Sequence, residues 1–268
     1  MAAHLHLHRY LILSLLVIAF HTEPTLCDDD GQLEEDDVDP HYEGYLEPIT
    51  LGSLMKLRHQ NSGHFLHSHE ISWGSGSKQQ SVTAFPTLGD GNSLWQIYAP
   101  FGETNFTHAS AIKCGDVIRL KHVKTKRWLH SHHNHRAPLS HKQEVTCFGD
   151  EVNSDEADNW KVICNKKASQ NPDITNWWRR GESFSLQHAP TSNYLFTSKK
   201  SEFNEANCRG CPILGQFEVA ASDKKVKGAR WISSHGFYFR PHDFVDEPEK
   251  YLSDDSDEIE KENKKQEL

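Results

Sequence analysis

The sequence predicts an all-β protein, in which a closed barrel has pseudo-threefold symmetry. Two observations predict it: one residue pattern occurs three times, and each copy divides into about four short apolar runs separated by turn residues. No copy contains an apolar stripe with the 3.6-residue period of a long amphipathic helix. Three copies of short strands that close into a barrel also leave few exposed sheet edges.

Each copy repeats the same elements in the same order. A glycine opens it, at Gly52, Gly115 and Gly181, so the copies are spaced by 63 and 66 residues. A strand ending in histidine follows, then a second apolar run and a Gln-rich element around Val82, Val145 and Val219. A tryptophan closes each copy, at Trp95, Trp160 and Trp231. We expect these three indoles in the core, because an indole buries a large area and three symmetric copies could fill one axis.

The pattern resembles the MIR repeat, which is shared by protein O-mannosyltransferases, inositol trisphosphate receptors and ryanodine receptors. The most specific pieces are Leu66-His67-Ser68-His69, the glycine-serine loop at 74–76 with the Gln-Gln-Ser-Val run at 79–82, and Lys113-Cys114-Gly115. The resemblance covers roughly 47–243 and implies a β-trefoil of three MIR repeats, at about 47–101, 110–166 and 176–243. The third copy departs from the pattern, with Phe196-Thr197-Ser198 in place of His-Ser-His.

The two ends of the chain differ from this body in composition. Residues 1–27 resemble a signal peptide, with Arg9 before an apolar run that is too short to span a bilayer. Residues 28–46 are a predicted disordered arm, which carries nine acids and no Lys or Arg over 28–43. Residues 244–268 are an acidic tail, and 44–242 hold 24 basic against 17 acidic residues. Solubility and a low-affinity calcium or partner-binding role stay open for the acidic ends.

Two short motifs indicate the compartment. The last four residues, Lys265, Gln266, Glu267 and Leu268, differ at one position from the Lys-Asp-Glu-Leu retrieval sequence of the endoplasmic reticulum. Asn105-Phe106-Thr107 is a glycosylation sequon between the first two copies. No other apolar run is long enough to cross a membrane, so we expect no membrane insertion after signal removal and a place in the endoplasmic reticulum lumen.

Disulfides are expected in that oxidising compartment. Cys114 opens the second copy and Cys164 closes it, so a Cys114–Cys164 bridge is predicted, which closes about 50 residues and stabilises the fold by roughly 4 kcal/mol. Cys208 and Cys211 form a C-x-x-C in a predicted loop, and we expect a second disulfide or a thiol pair, with redox chemistry as the weaker alternative. Cys147 aligns with Ala84 and is predicted to be a buried free thiol.

The histidine pairs are the chief candidates for chemistry. His67 and His69 share one face of a predicted strand, as do His130 and His132, and that geometry could hold a metal. A carboxylate third ligand is not evident at close spacing, and the sequence contains no HExxH or GxSxG motif. We therefore predict no catalytic residue, no metal and no cofactor, and the modestly basic body argues against nucleic-acid binding.

These observations favour a non-catalytic factor in protein folding and quality control. The sequence resembles the stromal cell-derived factor 2 group, which implies work beside an Hsp40 co-chaperone, the lumenal Hsp70 and unfolded clients. The candidate partner-binding residues are His67, His69, Gln80, His130, His132 and Gln143. We expect that replacing the four histidines with Ala weakens partner binding without unfolding the protein.

Two alternatives stay open. One is a module that binds mannose glycans and is linked to protein glycosylation, for which aromatic side chains outside the closing set could serve as platforms. Those aromatic side chains are Trp73, Trp128, Trp177 and Trp178. The other is a redox helper that works through Cys208 and Cys211.

Overall fold

The computed structural model describes residues 47–165 and 176–242, which contain twelve β-strands and three short 3-10 turns. The signal-like segment, the acidic arm up to residue 46 and the retrieval-like tail lie outside the described residues. The first copy holds β1 (Leu54–His59), β2 (Phe65–Ser72), β3 (Gln80–Phe85) and β4 (Trp95–Tyr98). The second holds β5 (Val117–His122), β6 (Trp128–Arg136), β7 (Gln143–Phe148) and β8 (Trp160–Cys164). The third holds β9 (Ser183–His188), β10 (Tyr194–Glu202), β11 (Phe217–Ser222) and β12 (Trp231–Phe237).

Six strands close into a barrel. The antiparallel pairs run β1–β4, β4–β5, β5–β8, β8–β9, β9–β12 and β12–β1, so the ring of hydrogen bonds returns to its first strand. The other six strands form three hairpins, β2–β3, β6–β7 and β10–β11. Strands β3, β7 and β11 also pair with one another. This is a β-trefoil, and the predicted all-β fold is confirmed.

The core repeats three times with the fold. Trp95, Trp160 and Trp231 are fully buried, as predicted. Their Nε1 atoms donate hydrogen bonds of 2.9, 2.9 and 3.1 Å to carbonyl oxygens at equivalent positions of β2, β6 and β10, those of Leu66, Leu129 and Leu195. Each closing indole therefore joins the barrel to the hairpin of its own copy while its polar atom stays satisfied.

The cysteines take the predicted places. Cys114 and Cys164 form a disulfide with Cα atoms 5.5 Å apart, because β5 and β8 pair and bring the two ends of the second copy together. Cys208 and Cys211 are also joined, in a loop that packs on the small apolar cluster of Trp73, Phe203 and Ile213. Cys147 is a buried free thiol opposite Leu129, as Ala84 is opposite Leu66, and burial raises its pKa to about 12.

Three short 3-10 turns, Gly91–Ser93, Glu156–Asp158 and Lys227–Ala229, lead into the closing tryptophans. In the first two copies an aspartate precedes the turn and caps it, with Asp90 accepting from the Asn92 amide and Asp155 from the Ala157 amide. None of the helical segments in 47–165 and 176–242 is long and apolar enough to cross a membrane.

Candidate functional site: a cleft between the second and third copies

His67 and His130 are structural residues of the hairpins. Both are buried, at equivalent positions of β2 and β6. His67 Nδ1 lies 3.0 Å from the Thr83 hydroxyl, and burial lowers the pKa of His67 to about 4. His130 Nδ1 lies 2.9 Å from a carboxylate oxygen of Asp158, which is itself fully buried. Loss of the His130 imidazole would leave the buried Asp158 Oδ1 unsatisfied. Loss of the His67 imidazole would leave a cavity, although the Thr83 hydroxyl would still donate to Gln216. We therefore expect Ala at these positions to destabilise the fold.

Gln80 and Gln143 tie each copy to the next one. Gln80 Nε2 donates to Ser68 of its own hairpin at 2.8 Å and to Thr125 of the second copy at 2.9 Å. Gln143 Nε2 donates to the equivalent Ser131 at 2.7 Å, and its Oε1 accepts from Asn193 of the third copy at 2.7 Å. Both glutamines are buried, so with His67 and His130 they lie inside the fold, where a partner could not contact them directly. Binding at this surface stays a prediction, and of the six candidates only His69 and His132 are partly exposed.

Three other histidines, which end strands β1, β5 and β9, are buried at equivalent positions of the barrel. They are His59, His122 and His188, called the inner histidines below. Each packs at a tilt against the closing tryptophan of the preceding copy, with ring centroids 5.3, 5.0 and 5.0 Å apart. Each Nδ1 lies 2.8 Å from a Ser or Thr hydroxyl three residues later. Burial lowers the pKa of all three to about 4, so they are neutral at pH 7.

The inner histidines mark three equivalent seams between copies. At each seam the turn before a closing tryptophan faces the first turn of the next copy. His122 Nε2 lies 2.8 Å from the carbonyl oxygen of Asn92 at the first seam, and His188 Nε2 lies 3.0 Å from that of Ala157 at the second. At the third seam the Gly228 backbone lies near His59, whose Nε2 makes no hydrogen bond within the described residues. In the barrel these contacts hold the turn at a fixed distance from its neighbour.

The second seam opens into a cleft with a volume of about 470 Å³, within the usual size of ligand sites. We call it the second-seam cleft. Its walls include the apolar side chains of Phe101, Ala157 and Pro190, and its rim carries the exposed acids Asp155 and Glu156. The remaining lining residues are Ser131, His132, His133, His188 and Thr191.

Hydrogen bonds fix the loop that carries Phe101 and the turn that carries Asp155. The backbone N–H of Phe101 donates to Asn159 Oδ1 at 2.8 Å, which fixes the loop while the ring stays 43% exposed. The Asp155 carboxylate accepts a hydrogen bond from the Ala157 amide. The Asp155 amide in turn donates to the Asp158 carboxylate at 3.0 Å. His132 borders the cleft, and its Nδ1 is buried with no hydrogen-bond partner among the described residues. The cleft therefore offers apolar walls and exposed negative charge.

One grouping at this seam has the composition of a metal site. His130, Asp155 and Asp158 each place a possible ligand atom within 4.8 Å of the others. These side chains already make hydrogen bonds within the protein. Asp158 accepts from the Ser154 hydroxyl at 2.6 Å and completes the capping box. These bonds account for the geometry, and we assign the group to holding the turn in place.

The aromatic side chains that could have formed sugar platforms are inside the protein. Trp73, Trp128, Trp177 and Trp178 are all buried. Trp128 is covered by cations, with the Arg119 guanidinium 4.3 Å and the Lys121 ammonium 4.7 Å from the ring centroid. Burial therefore argues against the alternative in which these four side chains serve as exposed sugar platforms. Asn105 of the sequon is exposed, which leaves glycosylation a prediction.

Comparison with known proteins decides the family. The model of the MIR domain matches residues 72–227. The chain is 40% identical to a stromal cell-derived factor 2-like protein of Arabidopsis thaliana over 190 residues, which are 71% of this chain and 80% of that protein. It is 36% identical to human stromal cell-derived factor 2 over 197 residues, covering 74% and 85% of the two chains. The chain belongs to the MIR-domain family of stromal cell-derived factor 2.

Solved structures of relatives share the trefoil. The Arabidopsis SDF2-like protein matches with a TM-score of 0.65 at 38% identity, covering 73% of this chain and 99% of that one. A Caenorhabditis elegans protein of unknown function matches with a TM-score of 0.62 at 43% identity, covering 70% of this chain and 97% of that one. The Saccharomyces cerevisiae protein O-mannosyltransferase complex bound to its sugar donor matches with a TM-score of 0.60 at 26% identity. The match covers 78% of this chain and 29% of that one.

Proposed function

We propose that this SDF2-family protein is a non-catalytic folding and quality-control factor of the endoplasmic reticulum lumen. It acts beside an Hsp40 co-chaperone and the lumenal Hsp70 and contacts partly folded clients. Family membership indicates the secretory pathway, and the two closed disulfides fit an oxidising compartment. The lumen itself is the compartment that the Lys265–Leu268 sequence predicts.

The observation that carries the proposal is the second-seam cleft. Polypeptide chains that have not finished folding expose apolar side chains, and a concave apolar site open to solvent can take them up. The rigid trefoil holds Phe101, Ala157 and Pro190 in place, so little conformational entropy is lost when such a chain binds. The histidines and glutamines that the repeats share hold this scaffold together.

The second candidate is a glycan-binding module. The likeness to the O-mannosyltransferase complex, whose structure was solved with a sugar donor, favours it. It rests on shared fold, which is a poor argument for function. The burial of Trp73, Trp128, Trp177 and Trp178 removes the aromatic platforms on which it depended.

An affinity capture from endoplasmic reticulum lumen separates the two candidates. The folded, oxidised protein is coupled to beads, and bound proteins are eluted first with excess mannose-rich glycan and then with salt. We expect an Hsp40 and an Hsp70 in the salt eluate and neither in the glycan eluate. Beads that carry an unrelated folded protein are the control. Glycoproteins released by glycan, with no chaperone in either eluate, would reject the folding-factor proposal in favour of the glycan-binding module.

A further inference from the structure

The three seams share a backbone arrangement but differ in the side chains that border them. The residue two positions after each inner histidine is Pro190 at the second seam, Lys124 at the first and Asn61 at the third. The first residue of each short turn is Glu156, Gly91 and Lys227 in the same order. The three seams therefore differ from one another in charge and polarity at these two matched positions.

The strand that borders each seam also carries a different side chain at one matched position. Ser68, Ser131 and Thr197 occupy equivalent register positions, opposite Val82, Val145 and Val219. Two residues later the chain carries Glu70 on β2, His133 on β6 and Lys199 on β10. The first seam thus combines a lysine with Glu70 and the capping Asp90, and the third combines two lysines. The lining of the second has two carboxylates and no Lys or Arg.

The two carboxylates face solvent. Asp155 and Glu156 are both exposed, and Glu156 makes no ion pair with any residue in the described ranges. His130 Nδ1 lies 3.8 Å from Asp155 and 2.9 Å from Asp158, and the Arg119 guanidinium donates to the neighbouring Ser154 hydroxyl at 2.7 Å. Phe101, Ala157 and Pro190 lie beside Asp155 and Glu156, so an apolar surface and exposed negative charge occupy one small region.

We propose that the second-seam cleft binds an extended polypeptide segment in which an apolar side chain is flanked by Arg or Lys. The apolar side chain lies against Phe101 and Pro190, and the cation pairs with Glu156 and Asp155. This inference rests on the proposed function and names the chemistry of its polypeptide ligand.

Fluorescence anisotropy with a defined peptide tests the proposal. The probe is a short labelled peptide with a central leucine between two arginines, and the protein is the full oxidised chain. Two variant peptides serve as comparisons, one with glutamates for the arginines and one with serine for the leucine. We expect both changes to weaken binding about tenfold, and added salt to weaken binding of the arginine peptide, since exposed charge pairs are screened.

Substitutions at equivalent seam positions supply matched controls. Glu156→Lys should weaken binding of the arginine peptide about five- to tenfold, because an attraction becomes a repulsion at an exposed site. Phe101→Ser should weaken it by a similar factor. Lys227→Glu, at the same position of the third seam, should leave it unchanged. Circular dichroism and the unfolding midpoint confirm that each variant is folded, and Pro190→Lys provides a second test if Phe101→Ser is not.

The outcomes separate this inference from the function on which it rests. Equal binding by the wild type, Glu156→Lys and Phe101→Ser would overturn the cleft as the site, even if the wild type still captures chaperones. Preference for the glutamate peptide would overturn the charge argument. Peptide binding that depends on Glu156 and Phe101, in a protein that captures no chaperone, would support the cleft and reject the proposed function.

Discussion

Acidification should destabilise this fold through the inner histidines. His59, His122 and His188 have a pKa lowered from 6.5 to about 4, chiefly because burial disfavours the charged ring. The unfolded chain therefore takes up protons near pH 6.5, whereas the folded protein does not do so until about pH 4. Their contribution to stability is complete above pH 6.5 and is lost as the pH falls towards 4.

The size of the effect follows from these values. At pH 5.5, one unit below the unfolded pKa, each inner histidine lowers the free energy of unfolding by about 1.4 kcal/mol, and the three together by about 4 kcal/mol. Glu218 works in the opposite direction, because burial raises its pKa and the folded state gains protons more readily than the unfolded chain. A single substitution isolates the histidine effect from such opposing contributions.

The assay is urea unfolding of the oxidised protein at pH 7.5 and pH 5.5. His188→Gln should lower the free energy of unfolding at both pH values. The decrease in the free energy of unfolding from pH 7.5 to pH 5.5 should be about 1.4 kcal/mol smaller in this variant than in the wild type. His133→Gln, an exposed position on β6, is the control and should keep the wild-type difference. If the wild type loses less than about 1 kcal/mol, or if His188→Gln shows the wild-type pH dependence, the argument from buried neutral histidines is refuted.

Three further predictions concern stability and reactivity. Serine at both Cys114 and Cys164 should lower the free energy of unfolding by roughly 4 kcal/mol, because the bridge closes about 50 residues, and an unchanged denaturation midpoint would contradict this. Gly236→Ala should cost about 2 kcal/mol or more, since a Cβ there would lie 2.0 Å from the Leu54 carbonyl oxygen. Gly89→Ala has no atom within 4 Å and is its control in the same thermal unfolding series. Cys147 should resist iodoacetamide until the protein is unfolded, because burial raises its pKa to about 12, and native-state labelling at the rate of a free thiol would refute this.

The repeats carried most of what could be predicted of the fold. Because one pattern occurs three times, the strands, the core role of Trp95, Trp160 and Trp231, and the pairing of Cys114 with Cys164 could all be inferred before the structure. The burial of Cys147 followed from its alignment with Ala84. These inferences succeed because symmetry makes a position in one copy report on the same position in another.

The candidate site could not be predicted in the same way. A polar residue shared by two copies, such as Gln80 and Gln143, is as well explained by a repeated internal hydrogen bond as by a repeated surface. The third copy breaks that bond, because Phe217 replaces the glutamine and stacks on His64 with centroids 4.0 Å apart. The useful signal was the difference between copies at matched positions, seen in Glu156, Gly91 and Lys227, and reading it requires knowing which turns face each other.

The second-seam cleft is most directly tested by photocrosslinking in lumen extract. A photoreactive phenylalanine analogue replaces Phe101, which is 43% exposed, and the same analogue at Phe237 on β12, which is 72% exposed, is the control. We predict that position 101 crosslinks to chaperones or their polypeptide clients, that Glu156→Lys reduces these products, and that position 237 does not yield them. Identical products from both positions, or products at position 101 that excess mannose-rich glycan abolishes, would contradict the proposal that this seam binds polypeptide.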